Sequence, residues 1–207
     1  MQIPVLPMVS SEGRVSYGRL GFSGLSPEIT ETLSGTLSIP AKGEKTTVLV
    51  MDVGGLRRRG MDVSVLKRLR IKGARTWFLT HISDADDVFD AFNTDAEMLL
   101  FPVHSVRSED DLVDIYDVSD SVIPAVFVRE HRAHCIGSVS GAEDAVLRIQ
   151  RMGFGRTAVF DLDGSLSEEE WSAVGGYGGV IPCSVTGSVS PEWFSGSGFE
   201  DLLRVPE

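Results

Sequence analysis

The chain has 207 residues, is 42% hydrophobic, and carries 30 acidic against 19 basic residues for a formal net charge of −11. That length buries a core as one domain or at most two, and a single domain over residues 1–207 is expected. The acidic balance excludes a nonspecific nucleic-acid binder, which needs a basic footprint, and no apolar run approaches the roughly 20 residues of a membrane-spanning helix, so no membrane partner is expected.

The opening MQIPVLPMVSSEGR has no basic leader and reads as a strand over Gln2–Met8. Ser10–Ser26, rich in Gly and Ser, reads as a hairpin or loop, and Pro27–Leu37 (PEITETLSGTL) as a helix. Val48–Asp52 is a buried-strand run. Arg57–Arg59 is the one local concentration of positive charge, and it reads as a solvated loop or helix start rather than an anion site. Val63–Ile71 places apolar residues at helical spacing with basic residues between them. Thr76–Thr80 is the next strand. Ser83–Phe92 opens with Ser and Asp capping chemistry and continues as a helix.

Glu97–Val103 is a strand and Ser108–Tyr116 a capped helix with acids in its first turn. Val122–Val128 is a strand, Glu143–Met152 a helix closed by Gly153, Thr157–Asp161 a strand, and Ser167–Val174 a Ser-capped helix. Val180–Val185 is a strand, Pro191–Phe194 opens a short helix, and Phe199–Val205 is a last strand. Strands separated by helices of this length indicate βαβ units and a parallel sheet. About eight strands fit a compact (β/α)8 (TIM) barrel that lacks its last helix, with a doubly wound open sheet as the alternative. An uncovered stretch of barrel wall would favour a homo-oligomer.

Two segments repeat. Val48–Gly55 reads VLVMDVGG and Thr157–Gly164 reads TAVFDLDG, and their aspartates, Asp52 and Asp161, stand 109 positions apart, about half the chain. A half-chain repeat with an acid at the same strand end suggests one fold built from two similar halves. It favours the barrel over the open sheet.

These segments resemble the histidine-biosynthesis barrel family, whose type member is a ribotide isomerase with a sister cyclase. Gly153–Ser167 (GFGRTAVFDLDGSLS) is similar to the family's sixth-strand segment, Val48–Gly55 to its second-strand signature, and QIPVLPM with the nearby EGRV to its first strand and hairpin. The resemblance implies a barrel acting on a phosphorylated sugar. The departures imply a divergent paralogue whose isomerase activity is lost. The family's first catalytic aspartate falls on Pro7, which has no ionisable group, and the second falls near Arg129. Of its two Gly-Gly phosphate turns, the first is replaced by Leu79-Thr80-His81 and the second retains one glycine in Thr186-Gly187-Ser188.

The candidate site residues follow. Asp52, Asp161 and His81 stand at strand ends as acid–base candidates, against local capping for the aspartates and a solvated loop for the histidine. Thr186, Gly187 and Ser188 are the phosphate-binding candidates. Asp163, Gly164 and Ser165 are candidates for substrate contact, against a turn. His131 and His134 lack further ligands, so no metal and no cofactor is expected. Cys135 and Cys183 form no CxxC, so neither a zinc site nor a disulfide framework is indicated, and a cytoplasmic location is expected. The expected partner is a small phosphorylated metabolite. The competing expectation is a non-catalytic barrel serving as a binding or assembly module.

Overall fold

A computed structural model describes residues 1–11, 14–33, 46–61, 63, 74–94, 96–186 and 189–205. The apolar runs become strands where the sequence places them: β1 (Gln2–Ser11), β4 (Thr46–Asp52), β5 (Ala74–Leu79), β6 (Met98–Pro102), β7 (Val122–Arg129), β10 (Thr157–Asp161), β11 (Val180–Ser184) and the short β12 (Leu202–Arg204). Four more strands are present, the first of them within the stretch read as a hairpin or loop. They are β2 (Arg14–Ser23), β3 (Ser26–Leu33), β8 (Arg132–Cys135) and β9 (Ser138–Ser140).

Six short helices are described: α1 (Val53–Arg58), α2 (Ala85–Phe92), α3 (Glu109–Val118), α4 (Ala142–Arg151), α5 (Glu168–Gly175) and α6 (Pro191–Gly196). Their starts follow the capping chemistry. Ser108 and Ser190 accept from the N–H groups of Asp111 and Trp193, and Ser167 forms a reciprocal capping box with Glu170. The helix expected over Val63–Ile71 lies outside the described residues from position 64.

The expected (β/α)8 barrel is not what the chain forms. The twelve strands make one mixed sheet in the order β11-β10-β7-β6-β5-β4-β1-β2-β3, with β12 on β1 and the β8–β9 ribbon on β7. β1–β2, β2–β3, β7–β8 and β8–β9 are antiparallel. Among the described residues β11 has a ladder with β10 only, and β12 reaches only Gln2–Pro4 of β1, so the sheet is a curled, open half-barrel. Two physical reasons account for the difference. β12 is three residues long and, among the described residues, forms a ladder with β1 alone. And Ser26–Leu33, expected to begin a helix, is a strand: β-branched Ile29 and Thr30 suit a pleated surface, and two glycines of β2 make room for them. A Cβ on Gly18 would lie 2.2 Å from Ile29 Cγ2, and one on Gly21 would lie 2.5 Å from Thr30 Cγ2.

The central strands are buried on both faces, as parallel strands usually are. In β4, Val50 points to a core shared with Val88, Leu112, Ile115, Val146 and Trp171 of the helices, while Leu49 and Met51 point to a second core with Val5, Trp77, Phe127 and Phe160. Helices α2 to α6 all pack on the first face, which also excludes a doubly wound sheet. The second, concave face is covered instead by the β2–β3 hairpin, through Leu20, Phe22, Leu25 and Ile29. No helix of the described residues is long and apolar enough to cross a membrane.

Candidate functional site: a cationic cavity under the hairpin

The hairpin does not seal against the C-terminal ends of the parallel strands. Between them lies a cavity of about 400 Å³. Its floor is Phe127 of β7 with Pro102 at the end of β6, and its roof is Ser23, Leu25, Ser26 and Pro27 at the hairpin tip. Phe22 meets Phe127 edge-on at 5.9 Å, which seats the hairpin. The Arg129 guanidinium donates to the Gly24 carbonyl at 2.9 Å and ties down the tip.

The walls are basic. α1 supplies Leu56 and Arg57, and Arg59 follows as its C-terminal cap. Arg59 has φ 55°, a left-handed conformation that favours glycine and that a long side chain adopts at a cost. The loop after β5 supplies His81. The 3-10 turn Val103–Ser105 after β6 supplies His104 and Ser105. Among the described residues that line the cavity there is no carboxylate. The Ser105 hydroxyl is directed at the carbonyls of Ile82 and Pro102, at 2.8 and 2.6 Å, so its proton is already committed.

Burial holds both imidazoles toward the neutral form. The His81 pKa is lowered by burial and by Arg59 and Arg107, partly offset by Asp87. The Asp87 carboxylate is itself held by the N–H and hydroxyl of Ser83, at 2.8 and 2.7 Å. His104 is lowered further, to about 4, by burial and then by His134, His81 and Arg59. Its ring lies 5.3 Å from that of Phe127. Among the described residues its buried Nδ1 has no hydrogen-bond partner.

Asp52 and Asp161 do stand at the same end of one parallel sheet, at the C-termini of β4 and β10, but neither lines the cavity. Asp52, 1% exposed, accepts from Gly55 N–H at 2.9 Å and from the Thr80 hydroxyl at 3.2 Å. Asp161 is fully buried and accepts from the N–H groups of Ser165 and Leu166, each at 3.0 Å. Burial raises its pKa against those two donors. Both carboxylates thus hold the turn that follows their strand.

Asp163 and Ser165 accept from the N–H groups of Glu130 and His131, both at 2.9 Å, bracing a β7–β8 turn in which Glu130 and His131 have positive φ. Gly164 has φ 69° within the same loop. His131 Nδ1 lies 3.1 Å from the Glu170 carboxylate. Thr186 is exposed after β11, and its companions Gly187 and Ser188 lie outside the described residues. No group of three or more metal-ligating side chains occurs among the described residues. Cys135 and Cys183 are both buried, unpaired thiols.

Of the sequence candidates, then, the cavity gathers His81 alone. Arg57, Arg59 and His104 join it from other loops. The one signal that pointed there was the Arg57–Arg59 cluster in an acidic chain. No local spacing linked it to positions 81 and 104, because the four side chains converge only through the parallel order β4-β5-β6.

No family model matches the chain, and no curated protein matches it. Nothing in these comparisons identifies the histidine-biosynthesis family. With an open, strand-rich sheet in place of a TIM barrel, the isomerase-like role in histidine biosynthesis is not carried further.

Proposed function

We propose that this chain binds a small anionic metabolite, a phosphorylated sugar or a related compound, in the cavity under the β2–β3 hairpin. One observation carries the reading. Arg57, Arg59, His81 and His104 share a cavity whose described wall has no carboxylate, in a chain of net charge −11. Gathering the Arg57 and Arg59 guanidinium groups in a partly enclosed, low-dielectric space costs free energy, and an anion offsets that cost. The volume suits a small metabolite. The apolar floor of Phe127, Pro102 and Leu56 offers a surface for the body of the ligand while the arginines take the charge. A cytoplasmic location accords with two unpaired thiols.

Thermal melts and calorimetry with inorganic phosphate and ribose 5-phosphate test this. Both ligands should raise Tm, and Arg57→Ala and Arg59→Ala should each weaken binding about tenfold, the loss of one charge-assisted contact. Binding that is indifferent to both substitutions would place the ligand elsewhere.

A second reading, a binding module without catalysis, is favoured by a separate observation. The two buried strand-end carboxylates are engaged by the protein itself: Asp52 accepts from Gly55 N–H and from the Thr80 hydroxyl after β5, and Asp161 accepts from the N–H groups of Ser165 and Leu166. Asp52→Asn and Asp161→Asn should then reduce stability and leave the affinity for phosphate unchanged.

A further inference from the structure

The β2–β3 hairpin is laddered to the rest of the sheet at its base only. The antiparallel pairing of β1 with β2 runs from Ser11↔Arg14 to Met8↔Tyr17, and from Gly18 to Ser23, among the described residues, β2 pairs with β3 alone. The β2–β3 ladder shifts register between Arg19 and Leu20, just beyond the last pair shared with β1. A shift of this kind bends a strand, and here the outer part of the ribbon turns over the concave face. That part meets the body through Leu20, Phe22, Leu25 and Ile29, all of them only half-buried. Among the described residues one hydrogen bond joins it to the body, from Arg129 Nη1 to the Gly24 carbonyl at 2.9 Å.

The residue that makes this bond is braced from the other side. Arg129 ends β7, and the two-residue turn that follows it, Glu130–His131, has φ 51° and 61°. Such a backbone costs free energy for residues with a side chain and persists where the surroundings enforce it. Here Asp163 accepts from the Glu130 N–H and the Ser165 hydroxyl from the His131 N–H, both at 2.9 Å. Neither Asp163 nor Ser165 lines the cavity, so what they fix is the turn beside Arg129 and not a ligand.

We propose that the β2–β3 hairpin is a flap: it swings about Tyr17–Leu20 as one ribbon, Arg129 latches its tip closed, and an anion in the cavity favours the closed position. Leu20–Ser23 and Ser26–Ile29 pair with each other and not with the body, so the ribbon moves without breaking its own ladder. Ser23 and Ser26 roof the cavity that Arg57 and Arg59 wall, so a ligand held there touches flap and body together and shifts the population toward closure. The effect of the anion rests on the reading of the cavity as an anion site. The latch does not.

Nuclear Overhauser cross-peaks between phenylalanine rings of the full chain report the flap. Phe22 belongs to the hairpin, and its ring centroid lies 5.9 Å from that of Phe127 in the body. Phe127 and Phe160, both in the body, are 5.3 Å apart and serve as the control. Arg129→Ala should weaken the Phe22–Phe127 cross-peak by about twofold or more and leave Phe127–Phe160 unchanged, and saturating sodium phosphate should restore the lost intensity. A Phe22–Phe127 peak that survives Arg129→Ala intact overturns the inference. Loss of both peaks also overturns it, because the core and not the hairpin has then moved. If Arg129→Ala does not fold, Asp163→Ala, which removes one brace of the Glu130–His131 turn, should weaken the same peak, and an unchanged peak overturns the inference. Phosphate that binds by calorimetry without restoring the peak overturns the coupling of ligand to closure and leaves the anion site standing. Phosphate that fails to bind the unsubstituted chain removes the anion site and that coupling with it, while the ring contacts still decide the latch.

Discussion

The N–H of Gly55 donates to Asp52 Oδ1 at 2.9 Å, and a Cβ on Gly55 would stand 2.2 Å from Oδ2 of the same carboxylate. The aspartate that ends β4 and the second glycine of α1 are therefore shaped to each other, and the turn that aims Arg57 and Arg59 depends on their fit. Gly55→Ala should force the carboxylate aside and destabilise the fold by about 1–3 kcal/mol, the usual cost of overpacking a closed site. Urea melts would measure it. A neutral Gly55→Ala would mean that the Asp52 cap is dispensable.

Arg59 spends backbone energy that a glycine would not. With φ at 55°, it sits where a non-glycine residue pays about 1 kcal/mol or more. Arg59→Gly should leave stability unchanged or raise it by up to about 1 kcal/mol, while phosphate affinity falls. Paired melts and calorimetry separate the two effects. A variant that is less stable yet binds phosphate as before would assign Arg59 a structural role only.

His104 links stability to pH with a definite sign. Its folded pKa is lowered to about 4 from the ordinary 6.5. Between those values the unfolded chain binds more protons than the folded one, so stability falls as pH drops through that window and is intact above 6.5. Carboxylates add their own acid response, so the informative quantity is a difference. The Tm of His104→Gln should fall less steeply than that of the unsubstituted chain between about pH 6.5 and pH 4. Parallel curves would show that His104 is not held neutral in the fold.

Trp171 anchors the helix-covered core. Its ring lies 5.1 Å from Phe194 and 6.4 Å from Phe199, near-perpendicular to both. Trp171→Ala should cost about 3–5 kcal/mol. Its Nε1 has no hydrogen-bond partner among the described residues, so Trp171→Phe should recover much of that loss. Denaturant melts of the two variants give the comparison. Equal losses would mean that the indole nitrogen is satisfied in solution.

Much of the fold was legible one element at a time. The buried strands announce themselves as unbroken apolar runs, and Ser108, Ser167 and Ser190 mark helix starts because a hydroxyl there satisfies an otherwise orphaned N–H. Pro27–Leu33, the start of the expected Pro27–Leu37 helix, is a strand although its glutamates and leucine suit a helix as well. The strand is decided by glycines 18 and 21 on a neighbouring strand, a fact not local to the segment. Closure is not legible because the number of strands does not say whether the last one pairs on both edges. The repeat places Asp52 and Asp161 at strand C-termini, but the turns differ: Asp52 caps α1 and Asp161 accepts from Ser165 and Leu166 in an open loop. The cavity escaped because its four cationic or imidazole side chains come from α1, its cap and two later loops, which share no sequence period.

β1 has three partners along its length: β12 at Gln2–Pro4, β4 at Val5–Met8 and β2 at Met8–Ser11. The partners are made at very different times. β2 leaves the ribosome within a few residues of β1, whereas β12 is synthesised about 200 residues later. The contacts of one strand thus span sequence separations from a few residues to about 200. The meander can form early and locally, but Gln2–Pro4 of β1 keep a bare hydrogen-bonding edge until Leu202–Arg204 have been made. The exposure of the nascent chain to mispairing is concentrated in β1, and it ends only when β12 arrives.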